Sequence, residues 1–165
     1  MIVALEGPDL SGKTTVFRRL LVPGAVLFPG LPMDPELLPH MAAVERRQEA
    51  VWRALYDPAR LYVCDRHFAV TATVYSKLYG RERPDYSRWY PELRVLYLDA
   101  PLELLLARHA ERGDLIARPE TYAGVLELYN EVLVRFPYVV RLNAALSVHE
   151  LVLQCMQRIG EWRSR

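Results

Sequence analysis

The stretch VALEGPDLSGKTTVFRRLL, residues 3–21, decides the fold. An apolar run stops at Glu6-Gly7, a loop follows, and a helical pattern begins at Gly12-Lys13-Thr14. Residues 7–14 fit the pattern GxxxxGK[ST] in full, and they join a strand to a helix, which is the context that pattern needs. The glycines let the backbone curl until several N–H groups converge on one anion, and the helix start adds its partial positive charge. Phosphate is therefore the expected ligand. Gly7, Leu10, Ser11, Gly12, Lys13, Thr14 and Thr15 are the candidate nucleotide-binding residues. Lys13 is expected to bridge the β- and γ-phosphates of ATP, and the Thr14 hydroxyl to ligate Mg²⁺.

Outward from this loop, short apolar runs alternate with helix-length amphipathic segments, as in βαβ units built on a parallel sheet. Strands are expected at 2–6, 25–28, 61–64, 95–98 and 138–142, each apolar on both faces as strands covered by helices should be. Helices are expected at 12–21, 36–56, 67–79, 102–112, 120–135 and 148–162. Pro35, Pro101 and Pro119 stand at or just before helix starts, and Ser147 suits the N-cap of the last helix. The polar, arginine- and aromatic-rich segment 80–91 reads as a surface excursion. The expected fold class is α/β: a three-layer α/β/α P-loop NTPase fold with a five-stranded parallel sheet. Residues 1–165 form one domain in this reading, with a short lid at about 108–119.

Composition sets the outer limits. A chain of 165 residues, 52% hydrophobic, buries one sizeable core. No apolar run approaches the roughly 20 residues that span a membrane, and no basic segment with an apolar stretch and cleavage site opens the sequence. Cys64 and Cys155 lie in apolar surroundings and read as reduced, buried thiols, so the expected location is cytoplasmic. A net charge of +1 argues against non-specific nucleic-acid binding, and no stable nucleic-acid partner is expected.

Two further stretches narrow the chemistry. In "RLYVCDRHF", residues 60–68, an apolar strand carries Asp65 to the carboxyl end of the sheet, where it can hold the Mg²⁺ hydration shell. Arg66 follows it. A cation beside the transfer site suits an anionic acceptor better than water, because a guanidinium grips phosphate through paired donors. In "LYLDAPLELLLARHAERGDLIARPE", Arg108 and Arg112 stand four residues apart on a helix, and Arg118 lies beyond a short loop. A helix C-terminus accounts for Arg112 and hardly at all for Arg118. Three arginines around one loop suit a lid closing over transferring phosphates.

Taken together these stretches resemble thymidylate kinases and the wider group of P-loop nucleoside and nucleotide kinases. "LEGPDLSGKTT" looks like that family's "FEGxDGxGKST", and "VCDRHF" is similar to its Asp-Arg-Tyr/His motif. The resemblance implies that Asp9 contacts the sugar 3′-hydroxyl of a deoxynucleotide acceptor and that Arg66 contacts its phosphate. It implies an arginine from the helix after the second strand, supplied by Arg46 or Arg47. Base-site candidates are Phe28, Trp52, His67, Phe68 and Tyr75. The family's "REPG" is replaced by Leu27-Phe28-Pro29-Gly30, a departure that falls on acceptor recognition rather than on phosphoryl transfer. The expected reaction is ATP plus a deoxynucleoside monophosphate giving ADP and the diphosphate. Lys13, Arg66, Arg108, Arg112 and Arg118 are the catalytic candidates, and Thr14 and Asp65 the metal ligands. Two alternatives stay open: a nucleoside or polynucleotide 5′-hydroxyl kinase with Asp34 or Glu36 as base, and a nucleotide-binding regulatory module without an acceptor. Related kinases are often dimers, so a homodimer stays open as well.

Overall fold

The computed structural model describes residues 1–29, 41–80, 86–112 and 118–164, and within the second helix its side chains at 47 and from 49 onward. Five strands, β1 (Ile2–Glu6), β2 (Ala25–Phe28), β3 (Leu61–Asp65), β4 (Leu93–Asp99) and β5 (Tyr138–Asn143), form one sheet in the order β2-β3-β1-β4-β5. Every pairing is parallel. Six helices connect them: α1 (Lys13–Phe17), α2 (Met41–Leu55), α3 (Phe68–Leu78), α4 (Leu102–Arg112), α5 (Tyr122–Leu133) and α6 (Val148–Arg163).

The alternation of β1 divides the core. Ile2 and Ala4 face a cluster with Trp52 of α2, Phe68 to Tyr75 of α3 and Val125, Tyr129 and Val132 of α5. Val3 and Leu5 face the other side, with Val16 and Phe17 of α1, Leu105 of α4 and Leu151, Cys155 and Ile159 of α6. That is the expected three-layer arrangement. Each fully buried Val or Leu contributes roughly 1.5–3 kcal/mol, which is why the central strand tolerates no polar residue before its last position. Chain order leaves β1 toward β3 and β2 on one side and toward β4 and β5 on the other, so the loop after β1 opens at the switch point where open α/β sheets bind ligands.

The element ends differ from expectation for local reasons. The first helix, expected over 12–21, is α-helical only at Lys13–Phe17 and continues as tighter turns, with Arg19 N–H on Val16 O and Leu20 N–H on Phe17 O. Three successive β-branched residues, Thr14, Thr15 and Val16, lower its helix propensity. His67 caps α3 instead of beginning it, its Nδ1 accepting the Ala69 N–H at 3.2 Å. The helix expected from 120 opens as a 3₁₀ turn at Pro119–Thr121, where the Thr121 hydroxyl donates to Arg118 O. Ser147 is the N-cap of α6, in a reciprocal capping box with Glu150. Cys64 and Cys155 are buried free thiols. The expected helix start near 36, with Pro35, Asp34 and Glu36, and the lid tip at 113–117 lie outside the described residues.

Candidate active site

The loop after β1 is shaped by backbone that only certain residues hold cheaply. Gly7 has φ 144°, and a Cβ there would lie 2.8 Å from Leu98 O and 2.9 Å from Ser11 Oγ. Gly12 has φ 96° and Leu10 φ 64°. This curl brings residues 12–15 to the start of α1, whose first intrahelical bond is Val16 N–H to Gly12 O. The N–H groups of Lys13, Thr14 and Thr15 precede that bond, so the helix itself does not use them. Lys13 is buried, its Nζ donating to Pro8 O at 2.5 Å and to Ser11 Oγ at 3.3 Å. Burial, then the nearby Arg66 guanidinium, pushes its ammonium down to about 7. An arriving polyanion opposes both effects. Thr14 and Thr15 are exposed at the loop mouth.

The parallel register sets Asp65 of β3 beside Leu5 of β1, so the chain leaving β3 passes directly under the loop. Arg66 takes a left-handed backbone, φ 71°, with its N–H on Leu5 O at 3.0 Å. Strain of this kind, about 1–3 kcal/mol for a non-glycine residue, persists where surroundings over-determine it. Here they do. Arg66 Nη2 pairs with Asp9 Oδ1, and Nη1 donates to the Tyr129 hydroxyl at 3.1 Å. The Tyr75 hydroxyl donates to the other oxygen of Asp9 at 2.8 Å. Burial raises the Asp9 pKa, but Arg66, Lys13 and these hydrogen bonds outweigh it and hold the carboxyl below its usual value.

Beneath this pair lies a carboxylate that no motif reading singled out. Glu6, fully buried, accepts the His67 N–H at 2.6 Å and the Thr71 hydroxyl at 2.9 Å, with the Tyr129 hydroxyl 3.3 Å away. Burial raises its pKa, against the pull of Arg66 and these donors. The one hint in the sequence is a charge closing an otherwise apolar strand. Tyr129 carried no such hint, because its hydrogen-bond partners lie 63 to 123 residues away along the chain and only folding brings them together.

The arginine set divides. Arg108 reaches the loop, Nη1 donating to Leu10 O at 2.8 Å and Nη2 to Ala144 O at 3.1 Å. Arg112 and Arg118 are exposed and flank residues 113–117. The side chain of Arg46 lies outside the described residues, and Arg47 is exposed. Tyr75 donates to Asp9, and the Arg66 guanidinium carbon lies 5.7 Å from the centre of its ring.

The remaining base-site candidates form one aromatic wall. Trp52 lies edge-on to Phe28 at 5.6 Å and to His67 at 5.1 Å, while His67 stacks on Phe68 at 4.5 Å. Since Nδ1 of His67 is an acceptor, its neutral ring carries the proton on Nε2. Burial pushes its pKa down to about 3. That Nε2 and the Trp52 Nε1 are buried without a partner among the described residues. An open cavity of about 450 Å³ lies elsewhere on the carboxyl edge, lined by Asp99, Pro101, Arg141, Leu142 and Asn143.

Asp65 tests the metal expectation. Its Oδ1 is buried and has no hydrogen-bond partner among the described residues, at the carboxyl end of β3. With the exposed Thr14 hydroxyl, it fits a hard cation that takes only one or two protein oxygens and completes its shell with phosphate and water. Among the described residues no cluster of three or more His, Cys, Asp or Glu forms an all-protein metal cage, which such a site does not require.

No family model matches the chain, and no curated protein matches it by sequence. Solved structures do match in shape. The Bacillus subtilis YorR protein, in complex with phosphorylated GDP, superposes with a TM-score of 0.66 at 19% identity, over 100% of this chain and 99% of its own. A deoxyadenosine kinase from M. mycoides with dCMP and a flexible dCDP bound gives 0.65 at 19% identity, over 98% and 100%. The same kinase with dATP bound gives 0.65 at 18%, over 97% and 100%. What is shared is the fold. It is a three-layer α/β/α architecture on an all-parallel five-stranded sheet. Among the described residues no helix is long and apolar enough to cross a membrane.

Proposed function

We propose that this chain is a kinase that moves the γ-phosphoryl of ATP to a deoxynucleoside monophosphate. The observation that carries the reading is the placement of Arg66: a guanidinium held against Asp9 of the loop after β1, near enough to Lys13 to lower its pKa. Two polyanions meeting there need charge neutralisation and alignment more than they need a base, because the acceptor phosphate is already ionised near neutral pH. The carboxylates at hand agree with that. Both oxygens of Asp9 are engaged, and Glu6 is buried under two donors, the His67 N–H and the Thr71 hydroxyl.

In this reading Lys13 leaves Pro8 O for the β- and γ-phosphates, and the backbone of residues 12–15 cradles them. Arg66 holds the acceptor phosphate in line, and Arg108 closes the far side of the loop. Arg112 and Arg118 stand at the two ends of a lid that excludes water. Thr14 and Asp65 would hold Mg²⁺, which would neutralise charge on the phosphate oxygens. The aromatic wall of Phe28, Trp52, His67 and Phe68 takes the acceptor base.

A second reading has a hydroxyl acceptor, and the deoxyadenosine kinases of the same fold favour it by name. A hydroxyl needs a carboxylate within hydrogen-bond reach, and Asp65, with one oxygen unpartnered among the described residues, is the candidate. One experiment separates the readings: ADP release measured with ATP and Mg²⁺ across all ribo- and deoxynucleosides and their monophosphates, with products identified by mass. Transfer to a deoxynucleoside monophosphate is expected. Transfer only to nucleosides would replace this reading with the second. Tight ATP binding with no transfer to any acceptor would leave a nucleotide-binding regulatory module.

A further inference from the structure

Tyr129 has a hydroxyl that packing alone does not explain. Its ring, fully buried on α5, lies against Tyr97 with centroids 5.2 Å apart, a place where phenylalanine would pack as well. Burying a hydroxyl costs free energy unless it is hydrogen-bonded, and this one is bonded only to the site. It accepts from Arg66 Nη1 at 3.1 Å and lies 2.9 Å from Gly7 O, with Glu6 Oε2 farther at 3.3 Å. A phenol has a single proton, so the nearer Gly7 carbonyl is its acceptor. Burial keeps that proton in place, moving the phenol well above its ordinary pKa.

These contacts tie three elements at one atom. Gly7 begins the loop that receives the donor, Arg66 faces the acceptor, and α5 is the helix that follows the lid arginines. Asp9 holds one end of the Arg66 guanidinium and Tyr129 the other. Of about five N–H donors on a guanidinium, these two bonds use one each, leaving the rest for a phosphate. We propose that Tyr129 is a positioning residue for the transfer reaction: its hydroxyl fixes the Arg66 guanidinium relative to the Gly7 end of the phosphate-binding loop. This rests on the kinase reading above, since it assigns Tyr129 a task in aligning acceptor with donor.

The test combines kinetics with a readout that needs no turnover. Tyr129→Phe keeps the ring and deletes the hydroxyl. It is expected to lower kcat roughly 10- to 100-fold, the scale of a misalignment of about 1 Å, with KM for ATP changed less than about twofold. A cycle with Arg66→Lys is expected to be non-additive, the double variant losing no more than Arg66→Lys alone. Nitrogen-15 spectra of the arginine side chains should show slow Nη rotation for Arg66 in the wild type and fast rotation in Tyr129→Phe. Wild-type kcat in Tyr129→Phe, or losses that multiply in the double variant, would overturn the assignment. Fast Nη rotation of Arg66 in the wild-type protein would do the same, without any variant having to fold. If the wild type transfers phosphate to no acceptor, the kinase reading falls, and the Arg66 spectra still decide whether Tyr129 orders that side chain.

Discussion

Lys13 and His67 show how burial assigns opposite tasks to two basic side chains. Lys13 is buried in the loop after β1: its Nζ rests on Pro8 O and Ser11 Oγ, and its ammonium is pushed down to about 7. In the proposed function a donor polyphosphate would add its charge to that of Asp9, Glu6 and Asp65, which already favour the ammonium. Lys13→Ala is therefore expected to lower turnover by several orders of magnitude in the ADP-release assay, and wild-type turnover in that variant would remove the loop from the mechanism. His67 is buried as a neutral ring capping α3, with its pKa pushed down to about 3 by burial. Below pH about 6.5 the unfolded chain binds a proton at this ring that the fold refuses. Stability must then fall as pH falls from about 6.5 toward the folded value, by about 2 kcal/mol between pH 6.5 and 4.5. His67→Asn keeps a capping acceptor and removes the titration. Urea unfolding at several pH values should show the slope flattened in that variant, and an unchanged slope would contradict the neutral buried ring.

At the scale of elements, the site is made where elements end. The left-handed Arg66 closes β3, the positive-φ pair Leu10 and Gly12 lies between β1 and α1, and His67 caps α3. Such ends depend on side-chain hydrogen bonds to backbone, and the start of α6 is a further example. Ser147 accepts the Glu150 N–H at 3.3 Å, and Glu150 in turn accepts the Ser147 N–H at 2.9 Å. Ser147→Ala is expected to cost about 1 kcal/mol, a drop in melting temperature of about 2–4 °C for a domain of this size, with kcat unchanged. A loss of activity at full folding would mean that α6 takes part in the site.

For the molecule as a whole, the sheet order matters more than any single contact. Placing β1 between β3 and β4 puts the loop after β1, Asp65-Arg66 and the β4–α4 connection on one edge, and α5 meets them through Tyr129. Two charged substrates bound at that edge stabilise only the folded chain. With a nonhydrolysable ATP analogue and Mg²⁺ at 100 times the dissociation constant, the gain is about 2.7 kcal/mol, or roughly 5–10 °C in melting temperature. Removal of Mg²⁺ by chelation should shrink the shift. No shift at millimolar nucleotide would show that the loop holds some other anion.

Local sequence was enough for the strands, most of the helices, the phosphate-binding loop and the capping of α6, because each is written in neighbouring residues: apolar runs, glycine at positive φ, a serine three residues before a glutamate. The placing of Arg66 and Arg108 near the loop was also legible, since both follow strands that a parallel sheet must align. What neighbouring residues could not determine is which groups complete one another. Glu6 under His67 and Thr71, Tyr75 on Asp9, and Tyr129 between Arg66 and Gly7 are pairings across 61 to 122 residues of chain. Only packing α3 and α5 onto one face of the sheet brings those polar atoms within reach, and burial then makes their mutual satisfaction compulsory.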